Sequence, residues 1–167
     1  MAIAAVDVGS GYVKAVAGLA VNSRRVSFPS IVGELPQSMH GQFGVSDLPV
    51  IEYADRVWLT GHHALEVLRQ HQVADTLGHD WAGSKPWMVL LLRALADMDI
   101  LEGDVHLVTG VPQASYQDRW RSIASNLLGV HKAVVHGKKM QVTILKGENM
   151  VMPQAAAGLY YWMAQDP

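Results

Sequence analysis

The residues Asp7-Val8-Gly9-Ser10-Gly11-Tyr12-Val13-Lys14 hold the groups that handle a phosphate chain: a carboxylate, a turn of small residues and an amine. Gly9-Ser10-Gly11 reads as the tip of a hairpin, with glycines where positive φ is needed. Such a tip gathers backbone N–H groups into a concavity suited to a phosphate oxygen. The Ser10 hydroxyl would add a donor. Lys14, three residues past Gly11, would lie back toward the tip as a point charge. Asp7 faces the same space, where a carboxylate suits the water shell of Mg²⁺. A tight hairpin with an ordinary surface lysine fits the same residues, because Asp and Gly are common in turns.

The elements that must position these groups follow from pattern. Ile3-Ala4-Ala5-Val6 is an unbroken apolar run, as in a central strand covered on both faces. Residues 12–19 read as a second strand and 24–31 as a third, with Pro29 suited to a strand edge. Gly33, Gly41 and Gly44 make 33–48 a loop or an irregular insertion. A short hairpin turns at Ala54-Asp55, and a helix is expected over 64–72. Residues 73–84 are polar, an exposed loop. Ser84 and Pro86 then start a helix that runs to Met98 and is apolar nearly all round, hence buried.

A strand is expected over 104–111. Ser115 and Asp118 form a capping pair for the next helix, in which Trp120, Ile123, Ala124 and Leu127 fall at core spacing and Gly129 closes the end. Strands over 132–136, 139–145 and 149–152 lead into a last helix opening at Pro153-Gln154. A glutamine in a first helical turn is ordinary on a surface, yet its amide can also orient a water.

Composition bounds the rest. The 167 residues are half hydrophobic and 17% charged, enough for one good core and against disorder. A formal net charge of −2 gives no general nucleic-acid surface. There is no cysteine, hence no disulfide or thiolate chemistry. The apolar run from Met88 to Leu92 is far too short to span a bilayer, and no basic region precedes an apolar signal core. A soluble, cytoplasmic protein is expected, with neither nucleic acid nor membrane as a direct partner. His62, His63, His71 and His79 lack the i, i+4 spacing of a helix-borne zinc site. No Gly-x-x-x-x-Gly-Lys-Ser/Thr is present, which excludes a P-loop ATPase.

Asp7-x-Gly9-Ser10-Gly11-x-x-Lys14 resembles the first phosphate motif of actin and the actin-like ATPases, within the superfamily of sugar kinases and Hsp70 chaperones. Thr109-Gly110-Val111-Pro112, with Tyr116 and Arg119 beyond it, is similar to a signature of the ParM type. Met152-Pro153-Gln154-Ala155, followed by Leu159-Tyr160, is similar to the strand-to-helix junction beside the γ-phosphate. ParM-type proteins more often carry Glu there, so Gln154 leaves the hydrolysis rate open.

The resemblance implies an α/β, ribonuclease-H-like fold: a mixed sheet opening with three antiparallel strands, helices on both faces and a small inserted subdomain. The core would be 1–32 and 104–167, the insertion about 33–103. It implies that Gly9, Ser10, Gly11, Tyr12 and Lys14 hold ATP, Asp7 positions Mg²⁺, and Gln154 orients the attacking water. Only the first half of the family pattern is covered, so a first-lobe fragment of a longer protein is expected. Its implied partners are further copies in a filament and a DNA-bound adaptor, in plasmid segregation or a cytoskeleton. A carbohydrate kinase or a docking scaffold on the same fold is the alternative.

Overall fold

The structure, a computed structural model, describes residues 1–18, 23–39, 48–147 and 150–154, apart from the Ser115 side chain. In chain order the elements are β1 (Ala2–Val8), β2 (Tyr12–Ala17), β3 (Arg24–Pro29), β4 (Val32–Glu34), β5 (Ile51–Tyr53), β6 (Arg56–Thr60), α1 (His62–Val67), α2 (Lys85–Asp97), β7 (Glu102–Val111), α3 (Gln113–Leu127), β8 (Gly129–Val135), β9 (Lys138–Ile144) and β10 (Val151–Pro153). One mixed sheet runs β3-β2-β1-β7-β9-β8-β5-β6-β4, with β10 joined to β7. The first three strands are antiparallel, and β7 is parallel to β1, β9 and β10. The mixed sheet with its three-strand antiparallel opening is therefore present.

Alternation along the strands decides where the core sits. Ala4, Val6 and Val8 of β1 are buried together with Val105, Leu107 and Val111 of β7. α2 lies against β1 and β2, and Trp87 and Val89 to Leu92 are fully buried there. Each such leucine contributes about 1.5–3 kcal/mol by leaving water. Ser84 caps α2, its hydroxyl accepting the Trp87 N–H at 3.3 Å. Ile123 and Leu127 of α3 join the same core, and Ile123 packs beside Gly83 at the entry to α2. A second, smaller core unites Leu35, Leu59, Ala64 and Leu68 beneath β4, β6 and α1.

Several expectations are corrected. β1 is not covered on both faces: Ile3 is 43% exposed and Ala5 is exposed too, so the apolar run hides only its even-numbered side chains among the described residues. Neither Gly9 nor Gly11 takes the left-handed φ expected of the tip. Within the expected 33–48 loop, Gly33 and Glu34 belong to β4, which pairs with β6. Gly33 serves close packing there, since a Cβ would stand 2.4 Å from Leu68 Cδ1. The helix expected over 64–72 begins at His62 and ends at Val67. Leu68 goes extended to reach the small core, and only a 3₁₀ turn follows at Gln70–Gln72.

α3 begins at Gln113 behind Pro112, which gives it no side-chain cap, so the capping position expected at Ser115 falls inside the helix. Trp120 is not a core residue: it is exposed, stacked on Tyr116 with ring centroids 6.2 Å apart. The helix expected from Pro153 onward lies outside the described residues beyond Gln154. Among the described residues, no helix is long and apolar enough to cross a membrane.

Candidate functional site

Strand register brings the candidate residues into one row. Asp7 pairs with Lys14 across β1 and β2, and Lys14 with Ser27 across β2 and β3. On the other side Asp7 pairs with Gly110, and Gly110 with Met152. Directly paired residues project to the same face, so Asp7, Lys14 and Ser27 share the face that α2 and α3 leave uncovered. The next row, Arg25, Val16, Ala5 and Val108, is mostly apolar. Together these rows line an open groove of about 770 Å³.

Gln154 closes the row. Its side-chain amide donates to the Asp7 carboxylate, Nε2 to Oδ1, at 2.7 Å. An ionised carboxylate only accepts, so the NH₂ of Gln154 must face Asp7 and its carbonyl oxygen points elsewhere. Room for this contact comes from Gly110, where a Cβ would stand 3.0 Å from Gln154 Cγ and 3.5 Å from Asp7 Oδ1. Thr109, buried beside it, donates its hydroxyl to the Val6 carbonyl at 2.7 Å and so locks β7 to β1 at this level. Gly110 stood in the Thr109-Gly110-Val111-Pro112 signature without a role. Its role is space.

The tip Gly9-Ser10-Gly11 is closed by the Gly9 N–H donating to the Tyr12 carbonyl at 3.1 Å. Glycine at position 9 relieves a close approach, since a Cβ there would lie 3.0 Å from that carbonyl oxygen. At Gly11 a Cβ would meet nothing within 4 Å. Two tip carbonyls are tied from outside. Ser10 O accepts from Thr76 Oγ1 at 2.8 Å and Gly11 O from the Ser30 N–H at 2.9 Å. The N–H groups of Ser10 and Gly11 find no acceptor among the described residues. Thr76, in a polar loop, carries no sequence signal, and Ser30 reads only as the end of the third strand beside Pro29.

This arrangement offers an anion two N–H donors that have no acceptor among the described residues, with a lysine and a carboxylate on the neighbouring strands. Those donors fit a phosphate group, and the open space at Gly11 lets it approach the backbone. Among the described residues no three His, Cys, Asp or Glu side chains cluster as a metal site. A lone carboxylate such as that of Asp7 can take part in a Mg²⁺ site only beside waters and oxygens from other groups. Tyr12 is 57% exposed beside the tip.

Residues 5–156 match the sequence family described as the N-terminal domain of actin-like proteins. The chain belongs to the actin-like proteins. Among solved structures, this actin-like chain superposes on an archaeal actin homologue in complex with ADP with a TM-score of 0.70 at 19% identity, covering 99% of this chain and 47% of that one. A ParM of a 15-stranded filament from Clostridium botulinum gives 0.65 at 20% identity, with 99% and 51% covered. An AlfA filament bound to AMPPNP gives 0.65 at 15% identity, with 90% and 53% covered. At these identities the likeness establishes the actin fold. The actin-like chain spans about half the length of these structures. No curated protein sequence matches it.

Proposed function

We propose that the chain is the nucleotide-binding first lobe of an actin-like filament protein that binds Mg²⁺–ATP at the β1–β2 tip. The observation that carries this reading is the joint placement of Asp7, Lys14 and Gln154 beside the N–H groups of Ser10 and Gly11, which have no acceptor among the described residues. Bound there, Mg²⁺–ATP would supply the divalent charge and the phosphoanhydride bond. Gly9, Ser10, Gly11 and Tyr12 shape the tip, and the Ser10 and Gly11 N–H groups and Lys14 donate to phosphate oxygens. The Asp7 carboxylate would be the group to hold the ion's water shell. With its NH₂ held by Asp7, Gln154 has its carbonyl oxygen left to accept a hydrogen from the attacking water and aim it.

The whole protein, by this reading, adds a second lobe that completes the cleft and assembles into filaments under control of ATP. Two of the solved relatives are themselves filaments, and two hold ADP or AMPPNP. A role in segregating DNA through a bound adaptor is the finer form of the proposal. The test is equilibrium binding of ATP with MgCl₂ to this chain and to Lys14→Ala. Saturable binding that falls about tenfold on losing the point charge supports the reading. Binding that ignores Lys14 overturns the placement of the phosphates.

A further inference from the structure

We infer that Thr76, far from β1 in sequence, is a positioning residue for the phosphate site: it sets the peptide plane that presents the Gly11 N–H. This rests on the nucleotide reading above. In a trans peptide the C=O and the following N–H point in opposite directions. Thr76 Oγ1 donates to Ser10 O at 2.8 Å, so the Gly11 N–H on that same peptide is turned away from Thr76. The neighbouring peptide is fixed likewise, because Ser30 N–H holds Gly11 O at 2.9 Å and turns the Tyr12 N–H the opposite way. The tip lacks the left-handed glycine conformations that would set these planes from within. Its orientation comes from contacts outside the hairpin.

Thr76 is well placed to impose one. On its N-terminal side Ala74 N–H donates to Val32 O at 2.9 Å, and Val73 bridges Gly33. Just beyond it, Leu77 N–H donates to Asp75 Oδ1 at 2.9 Å. Farther on, Arg119 of α3 donates to His79 O at 2.9 Å and pairs with Asp80 at 3.1 Å. The segment is thus anchored on both sides of a single hydroxyl that reaches the tip. It also joins the small core to the site, since Val73 packs on the cluster around Leu68.

The experiment measures Kd for ATP with MgCl₂, and for adenosine, on the full 167-residue chain and on Thr76→Val and Thr76→Ser. Thr76→Val keeps the branched shape and removes the donor, and Thr76→Ser keeps the donor. Thr76→Val is expected to weaken ATP binding about five- to tenfold, the scale of one hydrogen bond. Thr76→Ser is expected to stay within about twofold of the parent, and adenosine binding to be the same in all three. Equal ATP affinity in the parent and Thr76→Val overturns the inference alone. Equal losses in both variants, or a parallel loss for adenosine, reduce Thr76 to a packing residue and also overturn it. A parent that does not bind ATP overturns the nucleotide reading, and the inference with it.

Discussion

Gln154 donates its side-chain amide to Asp7 at 2.7 Å across a sequence separation of 147 residues. The contact joins the end of β10 to the end of β1 through the gap that Gly110 leaves between them. It also fixes which end of the Gln154 amide is spent and which is free.

Gln154→Glu would set two carboxyl groups against each other. Like charges at this distance favour sharing one proton, which raises the folded-state pKa of the introduced carboxyl above its unfolded value. A raised pKa contributes stability at low pH and loses it as pH rises through the folded value. The variant should therefore be about 1 kcal/mol less stable than the parent at pH 7, solvent access from the groove keeping the penalty small. The deficit should shrink at about pH 4.5. Urea unfolding at both pH values checks this, and an equal deficit at both would contradict the Asp7–Gln154 contact.

Gly110→Ala should act on the same contact by steric means. The new methyl would meet Gln154 Cγ at 3.0 Å, so Gln154 must shift or β10 must move from β7. A loss of about 1–2 kcal/mol in unfolding free energy is expected, the usual cost of overpacking. A double variant with Gln154→Ala should recover part of it, because the obstructed side chain is gone. Simple additivity of the two losses would show that Gly110 is needed for another reason.

His136 gives the fold a pH dependence of its own. Burial first, then the nearby Arg93 charge, lowers its pKa below the ordinary histidine value, and Asp97 offsets this in part. A lowered pKa means that its contribution is complete above the unfolded value of about 6.5 and is lost as pH falls below it. His136 also occupies a left-handed turn position, φ 49°, which asparagine tolerates. His136→Asn should lose less stability than the parent between pH 7 and 5, measured by thermal unfolding. Parallel curves for the two proteins would refute the assignment.

α3 separates what pattern reveals from what it hides. Ile123→Ala should cost about 2–5 kcal/mol, as for a filled core position. Trp120→Ala should cost less, about 1–2 kcal/mol, since the ring is partly exposed and rests on Tyr116 outside the core. Both residues lie at core spacing. Periodicity identifies the buried stripe but not where it stops, because the width of the covered face is set by the partner elements. A Trp120→Ala loss as large as that of Ile123→Ala would contradict the surface placement.

The same limit explains the rest of the comparison. The strand-turn-strand of β1 and β2, the capped and buried α2, and the hairpin at Ala54-Asp55 were legible because each is a local pattern. Asp7, Lys14 and the tip were legible as a set, being close in sequence. β4 was not, because three residues carry no measurable alternation and Gly33 reads as a loop signal while serving close packing. Leu68 was drawn out of its helix by a small core that no window of α1 contains. Gly110 stands in a recognisable signature, but its role as space appears only through the register of β1, β7 and β10, and Thr76 reaches the tip by a contact that nothing in its own neighbourhood marks.

The most direct measurement is a residue-resolved NMR titration of this chain with ATP and MgCl₂, following backbone amides and the Gln154 side-chain NH₂. The largest shifts are expected on Ser10 and Gly11, with Lys14 and Gln154 following, and sodium sulfate should not reproduce the pattern. An unchanged tip, or shifts centred elsewhere on the sheet, would contradict the placement of the phosphates at the tip.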